Sequence, residues 1–451
     1  MMETDVRHNP GLLKLDLYCK GLRIDDSFFK EGRRGRQIMR TRAGLGSGLE
    51  LVLPGDLWTN VPVVEFFAAD SPYLLFREDW PTDHPNPDPH EDRFVIRRDG
   101  DRELISEVRL SPKPTWYEKM TTSGKVMTKV GSLQGTYLGV YPSKVCEYWL
   151  DKPEKTNCKF CSVGLNLGVD DADDKSVQEV LEVVIAARDE SGITYVDFNT
   201  GHYTGETYLD ILEPYVRRIK EETGLLIGVQ TPPHGDLSRY DRLKKMGVNR
   251  VSFCFEIWNR ERFIDVCPGK NREYGLDRYL DAVKYCAELG RRNAGEETEG
   301  RVGMGPISFD PWVSNGEIIA GLESPEDSIA AIDWITSQGA IPTVCVFRPL
   351  KGTDYKDVPP PKTEDMIPVF ARLYEACMEH DLPIGVAPNV HVSLVLLPEE
   401  CRYFVSNPGR YRWKEMRLKA QRAVFRRAFL KSLEQADTRR RTQRVAEPAV
   451  H

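Results

Sequence analysis

The chain has no uninterrupted apolar run of the ~18 residues that a membrane-spanning helix requires, so a conventional bilayer-spanning segment is excluded. An excess of positive charge is missing as well. Its 62 Lys and Arg stand against 69 Asp and Glu, a formal net charge of -7, which argues against a dominant nucleic-acid surface. The opening residues, Met1-Met2-Glu3-Thr4-Asp5, lack a basic stretch followed by an apolar one, and no secretory signal is expected. Cysteine pairs are scarce too. Among ten cysteines the spacing C-x2-C occurs once, at Cys158 and Cys161, so one metal cluster is expected rather than two. Ten cysteines without a signal point to a reducing compartment, the cytoplasm, in which thiols serve metal or redox chemistry rather than disulfides. What remains is an ordinary soluble composition, 40% apolar, on a chain long enough for one large catalytic domain with extensions.

The stretch that carries chemistry is 145–164, where Cys146, Cys158 and Cys161 form C-x11-C-x2-C. Thiolates select zinc and iron-sulfur clusters, and a filled structural zinc site takes four protein ligands. Three cysteines around a [4Fe-4S] cluster leave one iron open to a substrate or cofactor. A partial zinc site and unliganded core thiols are the competing readings of the same residues.

Residues 1–130 are mixed and irregular, with short apolar runs at 51–53 and 61–64 among prolines and glycines, and read as an N-terminal α+β extension. The proline-rich, acidic stretch 83–92 is expected to be an exposed loop, and 94–100 the first arm of a hairpin turning at Asp99-Gly100. From residue 135 the pattern becomes strand, loop and helix, repeated. Strands are expected at 136–141, 193–198, 225–230, 251–255, 317–321 and 343–347. Helices are expected at 176–189, 209–221, 238–245, 277–289, after 324, and at 364–379. Six such units make an α/β fold, a partial (β/α)6 barrel. Segments 383–387 and 390–396 are candidate strands that would close it to a (β/α)8 TIM-type barrel. The stretch 293–301 reads as a surface insertion. A basic helix at 412–433 carries an apolar stripe, Leu418, Phe425, Phe429 and Leu433, expected to dock on the barrel, with a frayed tail from 438. The expected division is 1–130 extension, 131–400 barrel and 401–451 C-terminal helix with basic tail.

Parallel barrels place their active sites at the carboxyl ends of the strands, and the cysteine loop follows strand one. That arrangement resembles the cluster loop of the radical SAM superfamily, whose core is a six-unit (β/α) barrel, and a biotin-synthase-like branch with a comparable N-terminal extension looks similar. The usual spacing there is C-x3-C-x2-C; this chain keeps the final C-x2-C and stretches the first gap to eleven residues. The resemblance implies that Cys146, Cys158 and Cys161 ligate one [4Fe-4S] cluster, whose open iron is chelated by S-adenosylmethionine. It places Thr200 and Gly201 where members carry a glycine-rich turn meeting the methionine amino group, with His202 where an acidic residue is common. It places Glu256 and Arg260, or Arg262, near the ribose hydroxyls and methionine carboxylate, as suits an acceptor-only carboxylate and an arginine fork. Gly316, Ile318 and Glu323 fit the adenine-contact pattern G-x-I-x-G-x-x-E, with Ala320 in place of the middle glycine. His202 and Cys345 are the candidate catalytic residues, while Cys267 reads as a loop residue rather than a ligand. A structural histidine at 202 and a helix-surface charge at 260 are the alternative readings.

The implied activity is that of a radical SAM enzyme, in which a reduced cluster cleaves S-adenosylmethionine to methionine and a 5′-deoxyadenosyl radical that abstracts hydrogen from a substrate. A radical SAM methylase or sulfur-inserting enzyme, and a non-enzymatic protein with structural zinc, are the other two readings. The expected partners are a small-molecule substrate and a reductant such as flavodoxin or ferredoxin, without membrane or nucleic acid. His202, His234, Trp258 and Trp312 are expected to line an aromatic pocket of mixed polarity.

Overall fold

Leu138–Val140 (β1), Tyr195–Asn199 (β2), Leu226–Gln230 (β3), Arg250–Glu256 (β4), Val313–Ala320 (β5) and Ile341–Val346 (β6) are short runs rich in apolar residues, and in the computed structural model they pair in chain order. The structure describes residues 2–29, 39–40, 47–80, 92–142, 144–150, 153, 155–292, 302–304, 307–309 and 311–446. All five pairings from β1 to β6 are parallel. Each strand returns through a helix: Val177–Ser191 (α1), Tyr208–Thr223 (α2), Ser238–Lys245 (α3), Gly275–Arg292 (α4) and Pro325–Ser337 (α5), with Thr363–Glu379 (α6) after β6.

The helices form where capping and an apolar face coincide. Ser176 and Glu179 make a reciprocal capping box at the start of α1, and Gly192 ends it at φ 64. Val180, Val183 and Val184 on its inner face are fully buried, and burying a valine stabilises by about 1.5–3 kcal/mol. The loop after β4 holds two short helices, Arg260–Val266 and Pro268–Glu273.

β1 and β6 lie at opposite ends of the parallel run and do not pair with each other. Residues 383–399 cover the open side, but not as the two expected strands. Pro383, Pro388 and Pro398 remove ladder donors, and Gly385 and Asn389 sit at positive φ, so the segment is irregular. One isolated bridge, Gly135 to Val392, joins it to the barrel. A Cβ on Gly135 would lie 2.0 Å from the His391 carbonyl oxygen, which is why a glycine at φ +82 stands there.

The N-terminal residues build a second, seven-stranded sheet with its own apolar core around Leu13, Leu51, Leu75 and Ile96. The hairpin at Asp99-Gly100 joins Arg93–Arg98 to Leu104–Leu110 in antiparallel register. The helix Pro10–Lys20, capped by the Asn9 side chain, spans the gap between this sheet and the covering segment. Its Lys14 pairs with Glu400 at 2.7 Å. The Tyr18 hydroxyl donates to the Ser393 carbonyl at 2.7 Å, and the Asn60 N–H does so at 2.7 Å.

The C-terminal helix Arg412–Ala446 (α7) continues past the expected end at 433, through the stretch expected to be frayed. Phe425, Ala428 and Phe429 pack on Tyr137, Tyr195 and Leu226, which stand at the amino ends of the first three strands. The expected loop at 83–92, apart from Asp92, and the expected insertion at 293–301 lie outside the described residues. No described helix is long and apolar enough to cross a membrane.

Candidate active site

The chain leaves β1 through Tyr141 into the cysteine loop, and Cys146, Cys158 and Cys161 all line one cavity of about 460 Å3 within the barrel. The Cys161 N–H returns to the Cys158 carbonyl at 3.0 Å, which makes a tight turn of the C-x2-C segment. Cys146 Sγ accepts the His202 N–H at 3.3 Å, and Cys161 Sγ accepts the Val163 N–H at 3.5 Å. A Cβ on Gly201 would stand 2.5 Å from Cys146 Cβ and 2.7 Å from the Tyr141 hydroxyl. Gly201 therefore permits a close approach, but to the cysteine loop itself.

Burial pushes the thiols of Cys146 and Cys161 up, to about 11 and about 12. The Cys267 thiol donates to Cys158 and holds that thiol below its ordinary value. Among the described residues, no three His, Cys, Asp or Glu side chains are already drawn together as a metal site. The donor chemistry nonetheless fits an iron-sulfur cluster. Three cysteines line the same cavity, and two of their sulfurs already take backbone N–H bonds, which favour the thiolate.

Thr200, Gly201 and His202 follow β2 and line the same cavity. The His202 ring stacks on Tyr148, with centroids 4.4 Å apart, and its Nδ1 shares a 2.5 Å hydrogen bond with the Tyr274 hydroxyl. Glu256 also faces the cavity, at φ 69, where the pairing of β4 with β5 slips by a bulge. Lys270 Nζ donates to its Oε1 at 2.7 Å, yet burial still pushes the Glu256 carboxyl up. Cys345 lines the cavity, and burial keeps its thiol protonated.

Four residues expected at the cofactor stand elsewhere. Arg260 has a side chain 62% exposed and pairs with Asp277 on the outer surface. Side chains alternate along β5, so Asn315, Glu317 and Ile319 face the cavity while Gly316 and Ile318 face away. A Cβ on Gly316 would meet Ile335 of α5 at 2.9 Å. Glu323 Oε2 accepts the N–H groups of Trp258 and Asn259 at 2.9 and 2.8 Å and so pins the loop after β4. Any contact of Gly316 or Ile318 with a cavity ligand would run through the backbone. His234 accepts the Asp236 N–H within its own turn, at 2.9 Å, and Trp258 packs on Trp334; neither lines the cavity. Trp312 does, at the amino end of β5.

The sequence reading missed Lys270 and a ladder of charge inside the barrel. Arg250 donates to Glu317 at 2.6 Å and to Asp197 at 3.2 Å. Gln230 donates to Asp197 at 2.9 Å, and the Cys254 thiol to Glu317 at 3.2 Å. A signal was present: Asp197 and Glu317 are ionisable groups beside apolar neighbours within strands, and such a group must find a partner.

Residues 155–312 match the family described as the Radical SAM superfamily. The bacteriochlorophyllide c C-7(1)-hydroxylase of Chlorobaculum limnaeum is 23% identical over 186 residues, which is 39% of this chain and 42% of that protein. The chain thus spans less than half the length of this curated relative. Among solved structures, methylornithine synthase (PylB) superposes with a TM-score of 0.40 at 16% identity, covering 53% of this chain and 62% of its own. The FeFe-hydrogenase maturase HydG from Carboxydothermus hydrogenoformans does so with a TM-score of 0.38 at 18% identity, covering 53% and 50%. The matched segment takes in Cys158, Cys161 and every strand from β2 to β4, and the chain carries a domain of the Radical SAM superfamily.

Proposed function

We propose that this chain is a radical S-adenosylmethionine enzyme acting on a small molecule held in the barrel cavity. Cys146, Cys158 and Cys161 would hold one [4Fe-4S] cluster, with its open iron available to S-adenosylmethionine. When bound, the reduced cluster and S-adenosylmethionine supply a 5′-deoxyadenosyl radical able to take hydrogen from a substrate. The observation that carries this reading is that all three cysteines, on the loop that leaves the carboxyl end of β1 and its continuation, line the same barrel cavity.

The chain's own residues supply position and exclusion. The turn from Thr200 to His202 presents backbone beside the cysteines, and His202 is oriented by Tyr148 and Tyr274. Lys270 keeps Glu256 aimed at the cavity. The covering segment lines the open side of the cavity, and Phe425 of α7 lines its amino end. A flavodoxin- or ferredoxin-like reductant would deliver the electron in the cytoplasm.

Cys254 and Cys345 place two thiols in the cavity, which supports sulfur insertion or methyl transfer as the second reading; the curated relative's name would instead make hydroxylation the outcome. The test is anaerobic reconstitution followed by iron and sulfide counts, dithionite reduction, and mass spectrometry. About four irons and 5′-deoxyadenosine are expected, and S-adenosylhomocysteine among the products would favour methyl transfer. Bound zinc without cleavage would mean a structural site, and Cys267→Ser should then weaken zinc, since Cys267 stands against Cys158. Cys158→Ala should lose the iron-sulfur chromophore, and a variant with full iron and full cleavage would sink the assignment.

A further inference from the structure

The half of the cavity nearer the amino ends of the strands carries acidity that the cluster does not use. Among the described walls, the charged groups facing the cavity are Asp197, Arg250, Glu256, Lys270, Glu317 and Glu399, with His202 at the cysteine end. Lys270 answers Glu256. Arg250 alone answers both Asp197 and Glu317, which leaves one formal negative charge between them. Glu399, on the covering segment, adds a further carboxyl group, which burial pushes up to about 7, while the nearby Lys14 pairs with Glu400. Beside Glu317 on the same face of β5 stands Asn315, 5% exposed. Its Nδ2 donates to Thr343 at 3.1 Å, while its Oδ1 is buried without a hydrogen-bond partner.

An uncompensated carboxylate and an orphaned acceptor call for the same complement, a group that donates several hydrogen bonds and carries positive charge. We infer that this half of the cavity is a subsite for an ammonium group, with Glu317, Asp197 and Asn315 as its acceptors, and that the substrate is a small amine. Naming the occupant as substrate rests on the radical SAM reading; the presence of the subsite does not.

The test is calorimetric titration of the full chain with 1,5-diaminopentane, pentane-1,5-diol and glutarate, first without S-adenosylmethionine. The diamine should bind at least about tenfold more tightly than the diol, and glutarate should not bind. Glu317→Gln should weaken the diamine by about tenfold or more, and Asn315→Asp should tighten it. A diol that equals the diamine, preferred binding of glutarate, or indifference to Glu317→Gln would overturn the subsite. Should Glu317→Gln fail to fold, Asn315→Leu, which leaves the ion pairs intact, must weaken the diamine or the inference is lost. In reconstituted protein S-adenosylmethionine must not displace the diamine; displacement would assign these residues to the cofactor and overturn the proposal. Absence of iron or of S-adenosylmethionine cleavage would defeat the enzymatic reading while leaving the titrations standing, so the two failures are separable.

Discussion

Two single residues separate what a motif suggests from what a side chain touches. Gly201 has no room for a methyl group against Cys146 and Tyr141, so Gly201→Ala should push the cysteine loop aside. We expect a loss of about 1–3 kcal/mol in stability together with reduced iron retention after reconstitution, read by urea unfolding and an iron assay. A variant that keeps wild-type iron would show that the loop does not depend on this contact. Glu323 fits an adenine-contact pattern by spacing, yet its carboxylate grips two backbone N–H groups. Burial pushes it up to about 7 from an ordinary 4.5, so the fold favours the protonated form. Its stabilisation is present below the unfolded value and is lost as pH rises through about 7. Stability should therefore fall by about 1–3 kcal/mol from weakly acidic to weakly alkaline pH, and Glu323→Gln should flatten that slope in denaturation curves. The cysteine loop and the turn after β2 were legible because cysteine spacing and position after a strand survive in one dimension. Lys270 was not, since nothing in its sequence surroundings shows that the helix Pro268–Glu273 turns it back onto Glu256.

Among the elements, the six βα units were readable because apolar strand runs alternate with helical periodicity, and the observed bounds differ from the expected ones mostly by a few residues at each end. The covering segment was misread for a physical reason. Its valines and leucines, Val390, Val392, Leu394, Val395 and Leu396, look like a strand. Its groups are satisfied, however, by scattered partners from both the N-terminal unit and the barrel, such as Tyr18, Asn60 and Thr136, rather than by a ladder. The Lys14–Glu400 pair, 0% and 8% exposed in its side chains, anchors the far end. Lys14→Met should leave Glu400 buried without a counter-charge, at a cost of about 3–5 kcal/mol. The double variant Lys14→Met with Glu400→Leu should recover part of that loss. A double-mutant cycle in urea measures the coupling, and independent, additive losses would mean that the helix Pro10–Lys20 does not anchor the segment through this pair.

At the scale of the molecule, a barrel left open between β1 and β6 has two weak places: the lateral gap, and the amino end opposite the cysteines. The N-terminal unit and the covering segment deal with the first. At the second, α7 lays Phe425 and Phe429 across Tyr137, Tyr195 and Leu226, and Phe425 also lines the cavity. The two phenylalanines, 4% and 1% exposed, stack on each other with centroids 6.0 Å apart, yet only one of them borders the interior. Truncating either to alanine should cost about 3–5 kcal/mol, because each leaves an apolar hole that α7 is too well anchored to collapse. Only Phe425→Ala should also open the cavity to solvent from the amino end. Hydrogen exchange measured on peptides covering β1, β2 and β3 under native conditions tells the two effects apart. Phe425→Ala should speed exchange there beyond what its loss of global stability accounts for, whereas Phe429→Ala should change exchange only in proportion to stability. Equal behaviour of the two would mean that α7 braces the barrel without sealing it.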